Sequence, residues 1–208
     1  MKLFLSALMV NDSQVGELEK LAGKRAREIK IALIEDATEP YPEGEAWIDE
    51  NLKTLKGFGF DVELVDLKKY KAQLVKFEVM LGAKDVVWLG GGNTFYLRWI
   101  LKDVGVDKII TKHVKDGSIV FGGDSAGAIV AGPTLKYFDA ADDPNDSPAV
   151  VLNGLDIIKQ VVVPHMDNEK FVSVINGIND SLKKDDFETI PLNDGQALII
   201  DGDMQKII

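Results

Sequence analysis

The chain has 208 residues, 46% of them apolar, enough for one domain with a substantial core. A net charge of −10 without a basic stripe argues against nucleic-acid binding as a main function, and no apolar run approaches the roughly 20 residues that cross a bilayer. Zero cysteines exclude a disulfide, a thiolate metal site and a cysteine nucleophile; the apolar stretch 1–10 lacks a small-residue cleavage site, so a buried first strand and a cytoplasmic location are expected.

Strands and helices then alternate. Residues 3–10 read as a first strand, followed by a helix over 13–27 that carries Val15, Leu18, Leu21 and Ala22 on one face. A second strand covers 29–34, a Pro-containing loop 37–44, and a second helix 45–56, ended by Gly57 and Gly59. Residues 60–65 alternate at period two as a third strand, a weakly patterned helix covers 69–81, and 85–89 form a fourth strand. Asn93 caps a helix over 94–103, another spans 106–115, and 118–122 make a fifth strand. A short helix, an acidic loop at 139–148, a strand near 157–163, a helix over 169–183 and a hairpin near 197–208 complete the chain. The pattern predicts an α/β fold, a mostly parallel sheet with helices on both faces, in one domain over 1–208.

Gly123-Asp124-Ser125-Ala126-Gly127 sits between the fifth strand and the short helix. A glycine-flanked serine in that setting is the pattern of a nucleophile elbow, where the strained turn lifts Oγ above the sheet edge and frees N–H groups for an oxyanion. The competing reading is a serine that only caps the helix. Gly90-Gly91-Gly92-Asn93-Thr94 closes the fourth strand. Three glycines permit close backbone approach to a ligand, and one of their N–H groups can complete an oxyanion hole with that of Ala126. No lysine follows at the spacing of a phosphate loop.

A serine hydroxyl needs a base, and the chain has two histidines. His113 falls in the middle of the 106–115 helix and reads as a packing residue. His165 follows 161–163 and Pro164 at a strand's carboxyl end, on the expected sheet edge of Ser125. Candidates for the acid that orients it are Asp139, Asp142, Asp143, Asp156, Asp167 and Asp194. The order Ser…Asp…His would select an acid from the loop before His165, yet only some forty residues separate Ser125 from His165. Asp194, in a turn before the last hairpin, gives the order Ser…His…Asp. Spacing alone leaves this open.

Leu89-Gly90-Gly91-Gly92-Asn93-Thr94-Phe95-Tyr96-Leu97, Gly123-Asp124-Ser125-Ala126-Gly127-Ala128, Pro133-Thr134 and Pro164-His165 together resemble the peptidase E (aspartyl dipeptidase) family of serine peptidases. That family includes cyanophycinases and has a fold akin to class I glutamine amidotransferases, a flavodoxin-like three-layer sandwich. The resemblance implies Ser125 as nucleophile, His165 as base, Asp194 as the acid, and an oxyanion hole from the Gly92 and Ala126 N–H groups. Asn93 and Lys136 are the candidate substrate-binding residues, Lys136 standing where enteric aspartyl dipeptidases carry an Arg that meets the side chain of an N-terminal Asp. The loop 139–148 resembles a D-D-P variant; its aspartates do not match a calcium loop, so a mobile acidic lid is expected. The implied activity is hydrolysis of dipeptides or short peptides through an acyl-enzyme, with a preference for N-terminal Asp. It requires no metal or organic cofactor; the partner is a small peptide, not nucleic acid or membrane, and the protein is a monomer or homodimer. The alternatives are a cyanophycinase-like or isoaspartyl-peptide hydrolase using the same residues, and a catalytically silent binding module. The intact Ser, His and Asp set argues against silence.

Overall fold

In the computed structural model, which describes all 208 residues, five short strands form the parallel part of one sheet. They are β1 (Lys2–Ser6), β2 (Lys30–Ile34), β3 (Asp61–Leu64), β4 (Val86–Leu89) and β5 (Val120–Asp124). Two further strands, β6 (Val161–Val163) and β7 (Thr189–Pro191), stand apart, and β8 (Ala197–Asp201) and β9 (Met204–Ile207) form the final hairpin. The seven-stranded sheet has the order β3-β2-β4-β5-β1-β8-β9, with only the β8–β9 end antiparallel. Strands β4 and β5 are buried along their whole length, as parallel strands covered on both faces must be. At the opposite edge, β3 is mostly exposed and presents Asp61 and Glu63, charges that discourage pairing with another chain.

Alternating side chains divide the core in two. On one face Phe4, Ile31, Leu33 and Trp88 pack under α1 (Val15–Ala22) and α2 (Gly44–Gly57), through Leu18, Leu21 and Leu55. On the other, Leu3, Leu5, Val87, Leu89 and Phe121 meet a larger group of helices. These are α3 (Leu74–Leu81), α4 (Thr94–Val104), α5 (Asp107–Lys115), α6 (Ala126–Val130) and α7 (Val172–Lys184). Each such fully buried Leu or Phe contributes about 1.5–3 kcal/mol relative to exposure. The result is the expected three-layer α/β arrangement. No helix is long and apolar enough to cross a membrane.

Four local expectations are corrected. The first helix stops at Ala22, because Gly23 takes a left-handed cap (φ 68°) and a separate 3₁₀ turn follows at Ala26–Glu28. The helix expected over 69–81 is a 3₁₀ turn, Leu67–Tyr70, and then α3, broken at Ala72 with φ 62°. Strand one ends at Ser6, where Ser125 N–H takes the Ser6 carbonyl at 3.1 Å and Ala7 N–H turns to Gln196 O, also at 3.1 Å. Finally, the strand expected at 157–163 shrinks to β6 and leaves the main sheet, pairing in parallel with β7, a strand the sequence pattern does not announce.

Candidate active site

Ser125 occupies the turn between β5 and α6 with φ 47° and ψ −110°. A non-glycine residue there costs about 1–3 kcal/mol, so the surroundings must hold it. They do: Ser125 N–H is tied to β1, and Ser125 O accepts from the N–H groups of Ala128 and Ile129 at 3.0 Å each. Gly127 is required by close packing, because a Cβ there would collide with the Leu89 carbonyl. Ser125 Oγ lies 2.9 Å from His165 Nε2.

His165 follows β6 and itself has a left-handed backbone, φ 65°. Its Nδ1 lies 2.6 Å from Asp194 Oδ1. Asp194 follows β7, so the parallel pairing of β6 with β7 sets the two turns side by side. Polar contacts then lock them together. Met166 N–H donates to Leu192 O at 3.0 Å, Asp194 N–H to Asp167 Oδ1 at 2.8 Å, and Asn168 Nδ2 to Asp194 Oδ2 at 2.7 Å. His165 thus reaches Ser125 from the small sheet rather than from the edge of the main one. Among the six aspartates left open by spacing, Asp194 is the one hydrogen-bonded to the imidazole. Asp142 accepts from Thr94 N–H at 2.9 Å, Asp143 caps the turn Pro144–Asp146, and Asp156 pairs with Lys159 at 3.0 Å. His113 lies on α5, its Nδ1 2.8 Å from Ser118 Oγ, remote from this constellation.

The glycine turn has a different reason at each position. Gly90 lies against the carboxylate of Glu35, which a Cβ would overlap. Gly91 lies against the Asp124 carboxylate and the Ser125 side chain, which a Cβ would crowd. Gly92 has φ 132°, and a Cβ there would run into Ala37 O, so only glycine fits. The Gly92 N–H donates to no group of the chain, and Ala126 N–H heads the first turn of α6, where no intrahelical acceptor exists.

Two buried acids underlie this turn. Asp124 Oδ1 accepts from Trp88 Nε1 at 2.7 Å. Glu35 Oε1 accepts from Asn51 Nδ2 at 3.0 Å, while its Oε2 is buried without a partner. Burial, and then the Asp124 charge, push Glu35 up to about 8; burial raises Asp124 as well. Glu35 was not among the residues expected at the site. Its place just past β2, level with the glycine turn past β4, is the signal that could have found it.

A cavity of about 760 Å³ opens in front of Ser125 and His165. Gly92 lines it, as do Tyr41, Trp47, Phe58, Phe171 and Asp142. The two expected substrate-binding residues do not. Asn93 is fully buried, its Oδ1 accepting from Phe95 and Tyr96 N–H at 3.0 Å each, its Nδ2 donating to Asp143 O at 2.9 Å and Asp146 Oδ2 at 3.1 Å. Its hydrogen-bonding capacity is spent on holding the acidic loop against α4, so that loop is tied down where a free lid was expected. Lys136 pairs with Asp185 at 3.2 Å, lies over the Phe187 ring, and is absent from the cavity wall.

The family model for peptidase family S51 matches residues 9–208. Among curated proteins, an uncharacterized peptidase of Listeria innocua is 26% identical over 74% of this chain and 72% of its own. A protein of Nostoc named peptidase E is 25% identical, over 77% of this chain and 65% of its own. A solved Listeria monocytogenes structure, provisionally named peptidase E, superposes with a TM-score of 0.84 at 22% identity, covering 100% of this chain and 97% of that one, a likeness of fold.

Proposed function

The chain belongs to peptidase family S51, and from that premise we propose that it hydrolyses short peptides as a serine peptidase, through an acyl-enzyme on Ser125. The observation that carries this reading is the unbroken relay from Ser125 Oγ to His165 Nε2 (2.9 Å) and from His165 Nδ1 to Asp194 Oδ1 (2.6 Å), at the floor of a cavity. His165 takes the hydroxyl proton as Oγ attacks the scissile carbonyl, then returns it to the leaving amine. Asp194 holds the imidazole with Nδ1 protonated and stabilises the cation that forms. The N–H groups of Gly92 and Ala126 receive the oxyanion. Water then repeats the sequence on the acyl-enzyme, releasing the acid and restoring Ser125. A cavity of about 760 Å³ behind a tied loop suits a few residues rather than a folded chain.

An aspartyl preference would be the finer reading, and it needs a cation beside the first side chain of the substrate. Lys136 is already engaged by Asp185. The general reading therefore stands on the relay alone. Ser125→Ala should lower kcat by roughly 10⁴-fold or more, and a fluorophosphonate should add one label to the unmodified chain and none to the variant, read by intact-mass spectrometry. Undiminished turnover by Ser125→Ala would end the proposal.

A further inference from the structure

No lysine or arginine lines the cavity, although four carboxylates do: Asp12, Glu50, Asp124 and Asp142. Asp124 is already engaged internally by Trp88 Nε1. The other three make no ion pair with any cation of the chain. Lys53 lines an adjoining shallow recess that shares Asp12 and Glu50 with the cavity, so acids outnumber bases even there. The remaining candidate cations are committed or outside. Arg98 is buried, held by Asp107 at 3.2 Å and Asn153 O at 2.7 Å; Lys170 is exposed and not on the wall.

Resting on the serine-peptidase reading, we infer that the substrates are short peptides with a free amino terminus, seated on Asp142, and with an apolar or basic first side chain. Asp142 is placed for this by the tied loop, one oxygen accepting the Thr94 N–H, in the same wall as Ser125 and His165. Burial already pushes its carboxyl up, so a second anion beside it is penalised and an ammonium welcomed. The first side chain then meets Trp47, Phe58 and Tyr41, with exposed Asp12 and Glu50 at the outer end. A lysine or arginine fits that gradient, its stem along the aromatic wall and its charge at the acidic mouth. An aspartate in the same place would set its carboxylate between Asp142 and the exposed Asp12 and Glu50, with no lysine or arginine on the cavity wall. The net charge of −10 acts in the same direction, drawing cationic peptides in and slowing anionic ones.

The test uses the full chain with Lys-Leu, Leu-Leu, Asp-Leu and N-acetyl-Leu-Leu, products followed by chromatography, beside fluorophosphonate labelling of the same preparation. We expect kcat/KM for Lys-Leu and Leu-Leu to exceed that for Asp-Leu at least roughly tenfold. Acetylation should cost roughly 10- to 100-fold, the range of a hydrogen bond to a charged group. In Asp142→Asn, which keeps an acceptor for Thr94 N–H, the ratio of free to acetylated substrate should fall toward one. Equal or faster cleavage of Asp-Leu overturns the inference, as does an unchanged ratio in Asp142→Asn. Labelling of Ser125 without cleavage of any of the four also overturns it while leaving the nucleophile in place. Absence of both labelling and cleavage removes the serine-peptidase reading, and this inference with it.

Discussion

Ser125 ends a strand flanked on both sides within a seven-stranded sheet, whereas His165 and Asp194 follow two three-residue strands that pair only with each other. The serine side is therefore positioned by short-range chain geometry: a strand, a strained turn and a helix within a dozen residues. The histidine side is positioned by one register, Val161 against Thr189, between segments far apart in sequence. Two ways of building half a site follow. One is robust because many ladder hydrogen bonds support it. The other depends on a few polar contacts between two turns, so single substitutions there should be felt in catalysis before they are felt in stability.

On the histidine side, the largest effect should come from the member of the relay farthest from substrate. Asp194→Asn preserves shape but favours the wrong imidazole tautomer, and kcat should fall by roughly 10⁴-fold while the circular dichroism spectrum stays native. A loss below tenfold would mean that the histidine turn is held by its backbone and the carboxylate is dispensable. A smaller effect is expected one contact further out. Asn168→Ala removes the 2.7 Å bond to Asp194 Oδ2 and should cost roughly tenfold in kcat with KM nearly constant, since a positioning contact worth about 1.5 kcal/mol is lost. A change in KM alone would instead assign Asn168 to substrate contact.

The smallest effect concerns the serine side and is read in stability. Glu35 titrates near 4.5 in the unfolded chain and is raised to about 8 in the fold, so between those values the native state holds more protons than the unfolded one. Stability should decline as pH rises through that window. Glu35→Gln, a stand-in for the protonated acid, should reduce the loss of Tm between pH 5 and pH 8 by a few degrees. Asp36, raised by burial to about 7, adds a similar slope and remains in the variant, so the comparison is of the two slopes. Parallel curves would place the titration elsewhere.

The same contrast explains what was legible in the sequence. Continuous apolar runs and glycine punctuation made β2, β4, β5 and their helices readable, because local pattern and tertiary burial agree there. The elbow and the glycine turn were readable for the same reason, although the purpose of each glycine was not: Glu35 and Ala37, which press on Gly90 and Gly92, come from a segment that no motif joins to the turn. β7 was missed because three residues ending in Pro191 carry no period, and the break at Ala72 has no glycine or proline to mark it. The placement of Lys136 shows the limit of carrying a role across by position. A cation stands at the position, a Lys in place of the Arg, yet Asp185 and Phe187 occupy it.

Asn93 has a consequence for how this chain can change over generations. Its carbonyl caps α4 and its amide fastens the loop that carries Asp142, so one side chain couples a helix start to a wall of the cavity. Aspartate, serine and threonine cap helices about as well, but each lacks the amide donor. Exchanges that look neutral by helix preference would therefore release the loop and silently alter what the cavity admits. Through that one side chain the glycine turn and the acidic loop are mechanically a single unit.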